Sequence, residues 1–344
     1  MTNNRSTRRA FLAATGAALA LPATARVAQA ARAPLSPAVT VKVGIIGALF
    51  DVGSIVAFER GYFKAEGLDV ALQAFPGSAE ASQAFAIGGI DALATGPNPM
   101  IFNAKTRNLK IAIVAGAGQH SPGHPGVSLI LRKDVVESGR YKSPGDLKGM
   151  KIASGLLTPS NWFLEEYARR GGAPDNSVEI VPLGLPNTVE ALANKALDGG
   201  CINEPFASLL LQKSNGVRVA TIDQFAPNFP SGWLLFGSSL LTDNVEAGKR
   251  FMVAYLRGVR DYRDAYAGAR RGRPAIIALL KKYDMLVTDA TPSLGFPVDG
   301  KPSFTGVDAF ARWQLAHGTI KQLPDLAALS DLRFLTYASG QGVG

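Results

Sequence analysis

Residues 58–70 read FERGYFKAEGLDV and contain two glycines at the ends of predicted elements. Its first residues close an amphipathic helix that the pattern predicts over residues 54–62, and Gly61 is placed to end that helix in a left-handed turn. Gly67 then turns the chain into an apolar strand predicted over residues 70–75. A helix that leads through a tight turn into an apolar strand is typical of the β-α units of an open α/β sheet.

The same alternation continues on both sides of this stretch. Short apolar runs bounded by Gly, Pro and Asn indicate strands, and the amphipathic stretches between them indicate helices. The further predicted strands cover residues 41–46, 92–95, 111–115, 127–131, 151–153, 178–181, 201–203 and 217–222. The further predicted helices cover residues 79–87, 161–170, 188–197 and 206–213, and the chain is largely helical from residue 244 onward. The sequence therefore predicts an α/β protein with mostly parallel sheets flanked by helices.

Two loops rich in Pro and Gly interrupt this series and enclose one complete α/β unit. We therefore expect lobe 1 to comprise residues 31–125 and 232–344, and an inserted lobe 2 to comprise residues 126–231. The chain would cross between the lobes twice, with hinges near residues 122–127 and 226–233. Because an open α/β sheet places its ligand-facing loops at the carboxyl ends of its strands, two such lobes would enclose a cleft.

Residues 58–70 resemble the first helix of the nitrate, sulfonate and taurine family of periplasmic binding proteins, which also includes thiamine-precursor binders. The resemblance continues in order along most of the chain after residue 30. It is carried by GGIDA at 88–92, LKIAIVA at 109–115, DLKGMKIA at 146–153 and NEPF at 203–206. It implies the two-lobed type II periplasmic binding protein fold, a small-molecule ligand and an ABC permease as partner.

The first thirty residues have the order of a cleavable signal peptide. Arg8 and Arg9 precede an apolar stretch over residues 11–21, and small residues lead up to Ala31. The phrase TRRAFL also resembles the twin-arginine export motif. A membrane anchor is the alternative, but the apolar run is shorter than the ~20 residues that a spanning helix needs. We expect a soluble periplasmic protein without a lipid anchor, because the single cysteine, Cys201, lies far from the N-terminus.

The formal net charge of +9 includes four arginines and no acidic residue in the first thirty positions, so 9 − 4 leaves +5 for the rest. The remaining basic clusters, such as residues 270–273, are short and lack interleaved aromatic residues, which disfavours nucleic-acid binding. A single cysteine cannot form an internal disulfide, and the histidines show no metal-ligand spacing. We therefore expect neither a cofactor nor a metal.

Candidate ligand contacts follow the first predicted strand. Phe50, Asp51 and Ser54 lie where that strand ends and a helix begins, so backbone N–H groups, two polar side chains and an aromatic ring are available there. The alternative is that Asp51 or Ser54 only caps the helix.

Neutral polar residues follow the next three strands of the same lobe. Ser78, Asn98, Gln119 and His120 lie in loops whose small neighbours permit close approach of a ligand. Turn chemistry alone explains any single one of these loops, but the edge they share predicts that at least one of Ser78, Asn98 and Gln119 contacts the ligand. His120 offers a switchable donor, although a lone histidine is more often structural.

Lobe 2 supplies the remaining candidates. Ser160 and Asn161 open a predicted helix whose free N–H groups suit a carboxylate, sulfonate or nitrate, with ordinary capping as the alternative. Glu204 ends a strand at the cleft and either receives a ligand donor or holds the hinge. Trp233, at the second crossing, offers an aromatic wall, and core packing is the favoured alternative.

These residues indicate a binding protein. None of the candidate loops contains Arg or Lys, which disfavours a strongly charged dianion. We expect a monomer that delivers a sulfonate, an aromatic or alkyl carboxylate or a similar small organic molecule to an ABC importer by cleft closure. The alternatives are a ligand sensor for a membrane receptor and an enzyme like the pyrimidine-precursor synthases, whose cysteine-rich motif is missing here.

Overall fold

The computed structural model describes residues 33–183, 185–214, 216–266 and 272–343, so the predicted signal peptide lies outside the described residues. The strands are β1 Val39–Ile45, β2 Leu68–Ala74, β3 Ala92–Thr95, β4 Ile111–Gly116, β5 Gln119–His120, β6 Val127–Arg132, β7 Lys151–Ala153, β8 Glu179–Val181, β9 Gly199–Asn203, β10 Gly216–Thr221, β11 Phe229–Pro230 and β12 Trp233–Gly237. Most of them lie where the apolar runs predict strands.

The helices flank these strands. They are α1 Val52–Glu59, α2 Tyr62–Ala65, α3 Ser78–Ala86, α4 Pro99–Phe102, α5 Lys133–Glu137, α6 Pro159–Arg170, α7 Leu185–Ala193, α8 Phe206–Ser214, α9 Ile222–Phe225, α10 Val245–Tyr266, α11 Arg273–Lys281, α12 Val307–Ala316 and α13 Arg333–Gly340. Across the described ranges, no helix combines the length and the hydropathy that crossing a membrane requires.

Two five-stranded sheets are formed by the described residues. The first has the order β2-β1-β3-β12-β4, and the second has the order β10-β6-β9-β7-β8. In each sheet one strand runs against the others: β12 pairs antiparallel with β3 and β4, and β6 pairs antiparallel with β9 and β10. The predicted α/β class with mostly parallel sheets is therefore confirmed, with one reversed strand in each sheet.

The reversed strands follow the two passages of the chain between the sheets. The first passage contains β5 and leads into β6, and the second contains β11 and leads into β12. Here β5 and β11 pair with each other, with Phe229 opposite His120 and Pro230 opposite Gln119. Both passages thus run side by side as a short antiparallel ribbon, while the sheet strands lie on either side of it.

The core of the first sheet is closed by α1 and α10. Gly258 lets these helices touch, because a Cβ atom there would lie 2.3 Å from the carbonyl oxygen of Gly53. The long α10 is buried on all sides over residues 250–256, which include Phe251 and Tyr255, and buries Tyr262 nearer its end. This packing fixes α1, and with it the loop that precedes α1, against the sheet.

Aromatic side chains fill the space between the two sheets. The Trp162 ring of α6 lies 5.1 Å from that of Phe229 in β11 and 5.8 Å from that of Phe310 in α12. Phe229 and Phe310 also meet edge to face at 6.0 Å. Such pairs add to the stability gained from burial. The second passage of the chain is therefore held by the contacts of Phe229 with Trp162 and Phe310.

Candidate functional site

A cleft opens between the loops at the carboxyl ends of the strands of both sheets. It comprises two adjoining cavities of about 470 and 520 Å³. Both cavities are lined by residues from the two sheets, and they share Phe50, Ser78, Thr158 and Asn203. Cavities of this size are in the range of sites for small organic ligands.

The loop after β1 forms one wall of the cleft. Phe50 lines both cavities, whereas Asp51 is buried behind the wall and lines neither. The backbone N–H groups of Ile46 and Ala48 donate to Asp51 Oδ2 at 2.9 and 3.0 Å. Burial raises the pKa of Asp51 to about 7, although these hydrogen bonds oppose the shift. Asp51 therefore shapes the loop that presents Phe50.

Two predicted contact residues lie in the interior. Ser54 lies in the first turn of α1, which begins at Val52, and its side chain is buried. It lines neither cavity. Trp233 is fully buried at the start of β12, where its Nε1 donates to the Ser303 carbonyl at 2.9 Å. Trp233 therefore packs in the core, which is the alternative that the sequence analysis favoured.

Ser78 and Asn98 both line the cleft, but they differ in whether their polar atoms already have hydrogen-bond partners. Ser78 is exposed at the start of α3 and lines both cavities. Asn98 Oδ1 accepts hydrogen bonds from the N–H groups of Met100 and Ile101, and its Nδ2 donates to the Gly96 carbonyl. Asn98 is therefore a helix cap whose polar atoms are already bonded.

The two residues of β5 line different cavities. Gln119 lines a separate one outside the cleft, and its Nε2 donates to Ser121 Oγ and Asn228 Oδ1, both at 3.0 Å. His120 lines the first cleft cavity and stacks on Phe229 with ring centroids 6.3 Å apart. Burial lowers the pKa of His120 to about 4, so the ring is neutral at pH 7.

The first turn of α6 brings Ser160 to the second cavity. Its hydroxyl donates to Asn203 Oδ1 at 2.6 Å, so both side chains are held at the cleft. Asn161 is buried and lines neither cavity; its Oδ1 accepts the Leu157 N–H, and its Nδ2 donates to Glu165 Oε1. The cap of this helix is Thr158, whose hydroxyl accepts the Asn161 N–H.

Glu204 lines the second cavity at the end of β9, with only 4% of its surface exposed. Arg218 Nη2 donates to its Oε1 at 3.1 Å, and the N–H of Ser208 donates to its Oε2 at 3.0 Å. Burial raises the pKa of Glu204 in spite of these bonds. Glu204 is therefore tied to the second sheet, with its carboxylate partly neutralised by Arg218.

Two serines that the sequence analysis missed lie in the cleft. Ser82 lines the first cavity and Ser154 the second, and both are more than nine-tenths buried. Their hydroxyls, like Nδ1 of His120, have no hydrogen-bond partner among the described residues. Buried polar atoms without a partner are rare and call for an explanation. Ser82 lies four residues after Ser78 on the same helix, and this spacing could have identified it.

The electrostatics of the cleft favour at most one negative charge. Among the described lining residues, Arg107 is the sole cation, and it is exposed at the edge of the first cavity. The sequence offered no signal for Arg107, because it comes from the turn after α4 and not from a loop at a strand end. The N-termini of α3 and α6, at Ser78 and Pro159, add their backbone N–H groups to the cleft.

The sequence matches the family model described as "NMT1/THI5 like" over residues 51–267. The chain belongs to this family. This confirms the resemblance that begins at residues 58–70. Over 262 residues it is also 26% identical to a protein of Brucella abortus (strain 2308) whose name gives it a binding role, with 75% of each chain covered.

Solved structures of periplasmic binding proteins have the same fold. The aliphatic sulphonate binding protein SsuA of Escherichia coli matches with a TM-score of 0.68 at 19% identity, covering 85% of this chain and 92% of its own. The nitrate-binding protein NrtA of Synechocystis PCC 6803 matches with a TM-score of 0.69 at 15% identity, covering 90% of both chains. The predicted two-lobed periplasmic binding fold is thereby confirmed.

The same fold also occurs in an enzyme. The desulfurization enzyme DszB matches with a TM-score of 0.66 at 13% identity, covering 88% of this chain and 99% of its own. The fold alone therefore does not distinguish binding from catalysis. The distinction depends on the chemistry of the side chains in the cleft.

Proposed function

We propose that this protein is an extracytoplasmic solute-binding protein that captures a small organic molecule in the cleft and delivers it to an ABC permease. The observation that carries the proposal is the cleft itself: two adjoining cavities of about 470 and 520 Å³, lined from both sheets and bordered by the N-termini of α3 and α6. The relatives and most of the solved neighbours are binding proteins, which supports the proposal. We further propose that it acts as a soluble periplasmic monomer.

Closure of the cleft would occur at the paired passages. Residues 31–125 with 232–344 would move as lobe 1, and residues 126–231 as lobe 2. The β5–β11 ribbon supports this assignment, since it contains both passages and is the short link between the two sheets. A ligand that contacts both lobes binds the closed arrangement better than the open one, and this difference in affinity drives closure.

The cleft fits a ligand with one polar group of low charge. Two helix N-termini and several hydroxyls can bind a carboxylate, a sulfonate or an uncharged carbonyl group. A dianion would face one exposed Arg107 and the buried Glu204. Burying an unpaired charge is costly, so sulfonates, carboxylates and uncharged organic molecules are the ligand classes that we propose.

Catalysis is less well supported than binding. The thiol of Cys201 lines the second cavity but is buried, and burial raises its pKa, so it stays protonated and is a poor nucleophile. His120, with its lowered pKa, has no hydrogen-bonded acid or nucleophile beside it in the described residues. We therefore propose that the chain is not an enzyme.

A thermal-shift screen tests the proposed function. The panel contains alkanesulfonates, nitrate, aromatic and alkyl carboxylates, and uncharged pyrimidines. A ligand present at about 100 times its Kd adds about 2.7 kcal/mol and raises the midpoint by a few degrees. We expect one organic class to shift the midpoint and to be recovered unchanged. A chemically converted compound would favour the enzyme instead.

A further inference from the structure

The loop after β7 presents two leucines to the cleft. The exposed fractions of Leu156 and Leu157 are 56% and 38%, and both residues line the first cavity. Phe50 lines the same cavity from the first sheet. Large apolar side chains that stay exposed in a cavity indicate a surface that a ligand covers. We call Leu156 and Leu157 the leucine lip.

The backbone of Leu157 has an unfavourable conformation. Its φ angle is +57°, in the left-handed region that a branched apolar side chain adopts at a cost in free energy. Within the described part of the chain, the other non-glycine residues in this region are asparagines, an aspartate and a lysine. A leucine at this position therefore has to be held by its surroundings, and such outliers concentrate at functional sites.

Two buried amide side chains hold Leu157 from opposite directions. The Leu157 N–H donates to Asn161 Oδ1 at 3.0 Å, and Gln314 Nε2 donates to the Leu157 carbonyl at 2.6 Å. Asn161 and Gln314 are 3% and 0% exposed, so both partners of the Leu157 backbone are buried side chains. Both backbone polar groups of Leu157, its N–H and its carbonyl, therefore have hydrogen-bond partners.

The end of α12, which carries Gln314, and the residues after it are bonded to segments on both sides of the cleft. The Thr319 hydroxyl lies within hydrogen-bond reach of both the Gln314 carbonyl and Gln314 Oε1, and Gln314 Nε2 donates to the Leu157 carbonyl. In turn, Asn103 Nδ2, from the segment after α4, donates to the Thr319 carbonyl at 3.2 Å. On the other side, Trp313 Nε1 donates to Glu165 Oε2 of α6 at 2.9 Å. Thus α12 links the first-sheet side of the cleft to the helix that follows the leucine lip.

We infer that the leucine lip binds the nonpolar part of the ligand, and that Gln314, which does not line the cleft, is the residue that positions the lip. The inference rests on the proposed function and adds to it a ligand class: an organic molecule that has an apolar chain or ring beside its polar group. Nitrate lacks such a part. The polar end of this ligand lies at Ser78 and the N-termini of α3 and α6, and the apolar end lies between Phe50 and the lip.

The ligand contact is tested with pairs of probes that share a polar group. Ethanesulfonate and 1-octanesulfonate form one pair, and propanoate and octanoate form the other. The wild-type protein should bind the longer member of a pair more tightly. Leu157→Gly should weaken binding of the longer probe about tenfold, as expected for the loss of a buried leucine contact, and binding of the shorter probe less than about twofold.

Leu157→Gly has a built-in control for folding. Glycine adopts the left-handed conformation without strain, so the midpoint of the unliganded variant should not fall. Leu286→Gly removes another exposed leucine, one that lines neither cleft cavity, and should leave the ratio of the two affinities unchanged. An equal loss for both probes with Leu157→Gly would overturn the ligand contact.

The positioning role is tested without any ligand. Gln314→Met keeps the length of the side chain but removes its bond to the Leu157 carbonyl, so hydrogen exchange of the Leu157 amide should accelerate at least tenfold. Gln212→Met, which removes an exposed amide on α8, should have no effect. Unchanged exchange in Gln314→Met would overturn the positioning role.

A double variant separates positioning from a general loss of structure. If Gln314 acts through the lip, Gln314→Met should weaken binding of the longer probe in the wild-type background and have little effect in the Leu157→Gly background. Additive losses would overturn the inference. Failure of all four probes to bind the wild-type protein would count against the proposed function and the ligand contact together, whereas the exchange experiment would still decide the role of Gln314.

Discussion

Asp51→Asn is expected to gain about 4 kcal/mol of stability relative to the wild-type protein as the pH is raised from 4 to 7. Burial raises the pKa of Asp51 from 3.8 to about 7, so across this window the native state holds a proton that the unfolded chain has released. Wild-type stability from this group is therefore fully present below pH 3.8 and is lost as the pH rises to 7. Asparagine cannot ionise, and urea unfolding at several pH values measures the difference.

His120→Gln provides the matched comparison with the opposite sign. Burial lowers the pKa of His120 from 6.5 to about 4, so between these values the unfolded state binds the extra proton and wild-type stability rises with pH. The variant should lose about 3 kcal/mol relative to wild type between pH 4 and 6.5. Asp223, which faces His120, opposes the shift only in part. For each variant, the measured quantity is its free energy of unfolding minus that of the wild-type protein, plotted against pH. If this difference changed with pH in the same direction for both variants, one of the two groups would not be buried.

Arg218→Ala is expected to lower the free energy of unfolding at pH 7 by about 3 kcal/mol, since it leaves the Glu204 carboxylate buried without its cation. This figure is at the lower end for broken buried pairs because 32% of the Arg218 side chain is exposed. Urea unfolding measures the loss. Adding Glu204→Gln should restore most of the stability, because the buried group then carries no charge.

An exposed ion pair serves as the control for Arg218→Ala. Arg312 and Asp308 form an i,i+4 pair on α12 with side chains 65% and 70% exposed. Arg312→Ala should therefore change the free energy of unfolding by less than about 0.5 kcal/mol. If Arg218→Ala were as mild as Arg312→Ala, water would reach the Glu204 carboxylate, and the second cavity would be more polar than its burial indicates.

Local sequence determines most elements of this fold. The strands over Ala92–Thr95 and Lys151–Ala153 have the predicted bounds, because short apolar runs between turn residues leave few alternatives. By contrast, β12 was not predicted. Its sequence follows a Pro- and Gly-rich passage, and its place between β3 and β4 depends on contacts that are distant in the chain. Sheet order of this kind is a tertiary property that periodicity does not encode.

The candidate site is less well determined by sequence than the fold. Strand ends indicate which loops face the cleft, and Phe50, Ser78, His120 and Ser160 line it. Whether a polar side chain faces the ligand or supports a loop depends on hydrogen-bond partners, as Asp51 and Asn98 illustrate. Arg107 comes from the turn after α4 and Gln314 from α12, both outside the strand-end loops. Their roles depend on how helices pack, which one sequence does not specify.

We expect the ligand to bind where the two cavities meet, and calorimetric titration of a cleft-blocked variant tests this location. Ser78 is exposed and lines both cavities, so Ser78→Trp should fill the cleft without disturbing the core. Glu80→Trp places the same ring on the same helix outside the cleft lining and serves as the control.

The compound selected by the thermal-shift screen is the titrant. We expect Ser78→Trp to abolish its binding, Glu80→Trp to bind it with the affinity of the wild-type protein, and both variants to keep the wild-type unfolding midpoint. Full affinity in Ser78→Trp would contradict binding in the cleft, because the ligand would then bind elsewhere.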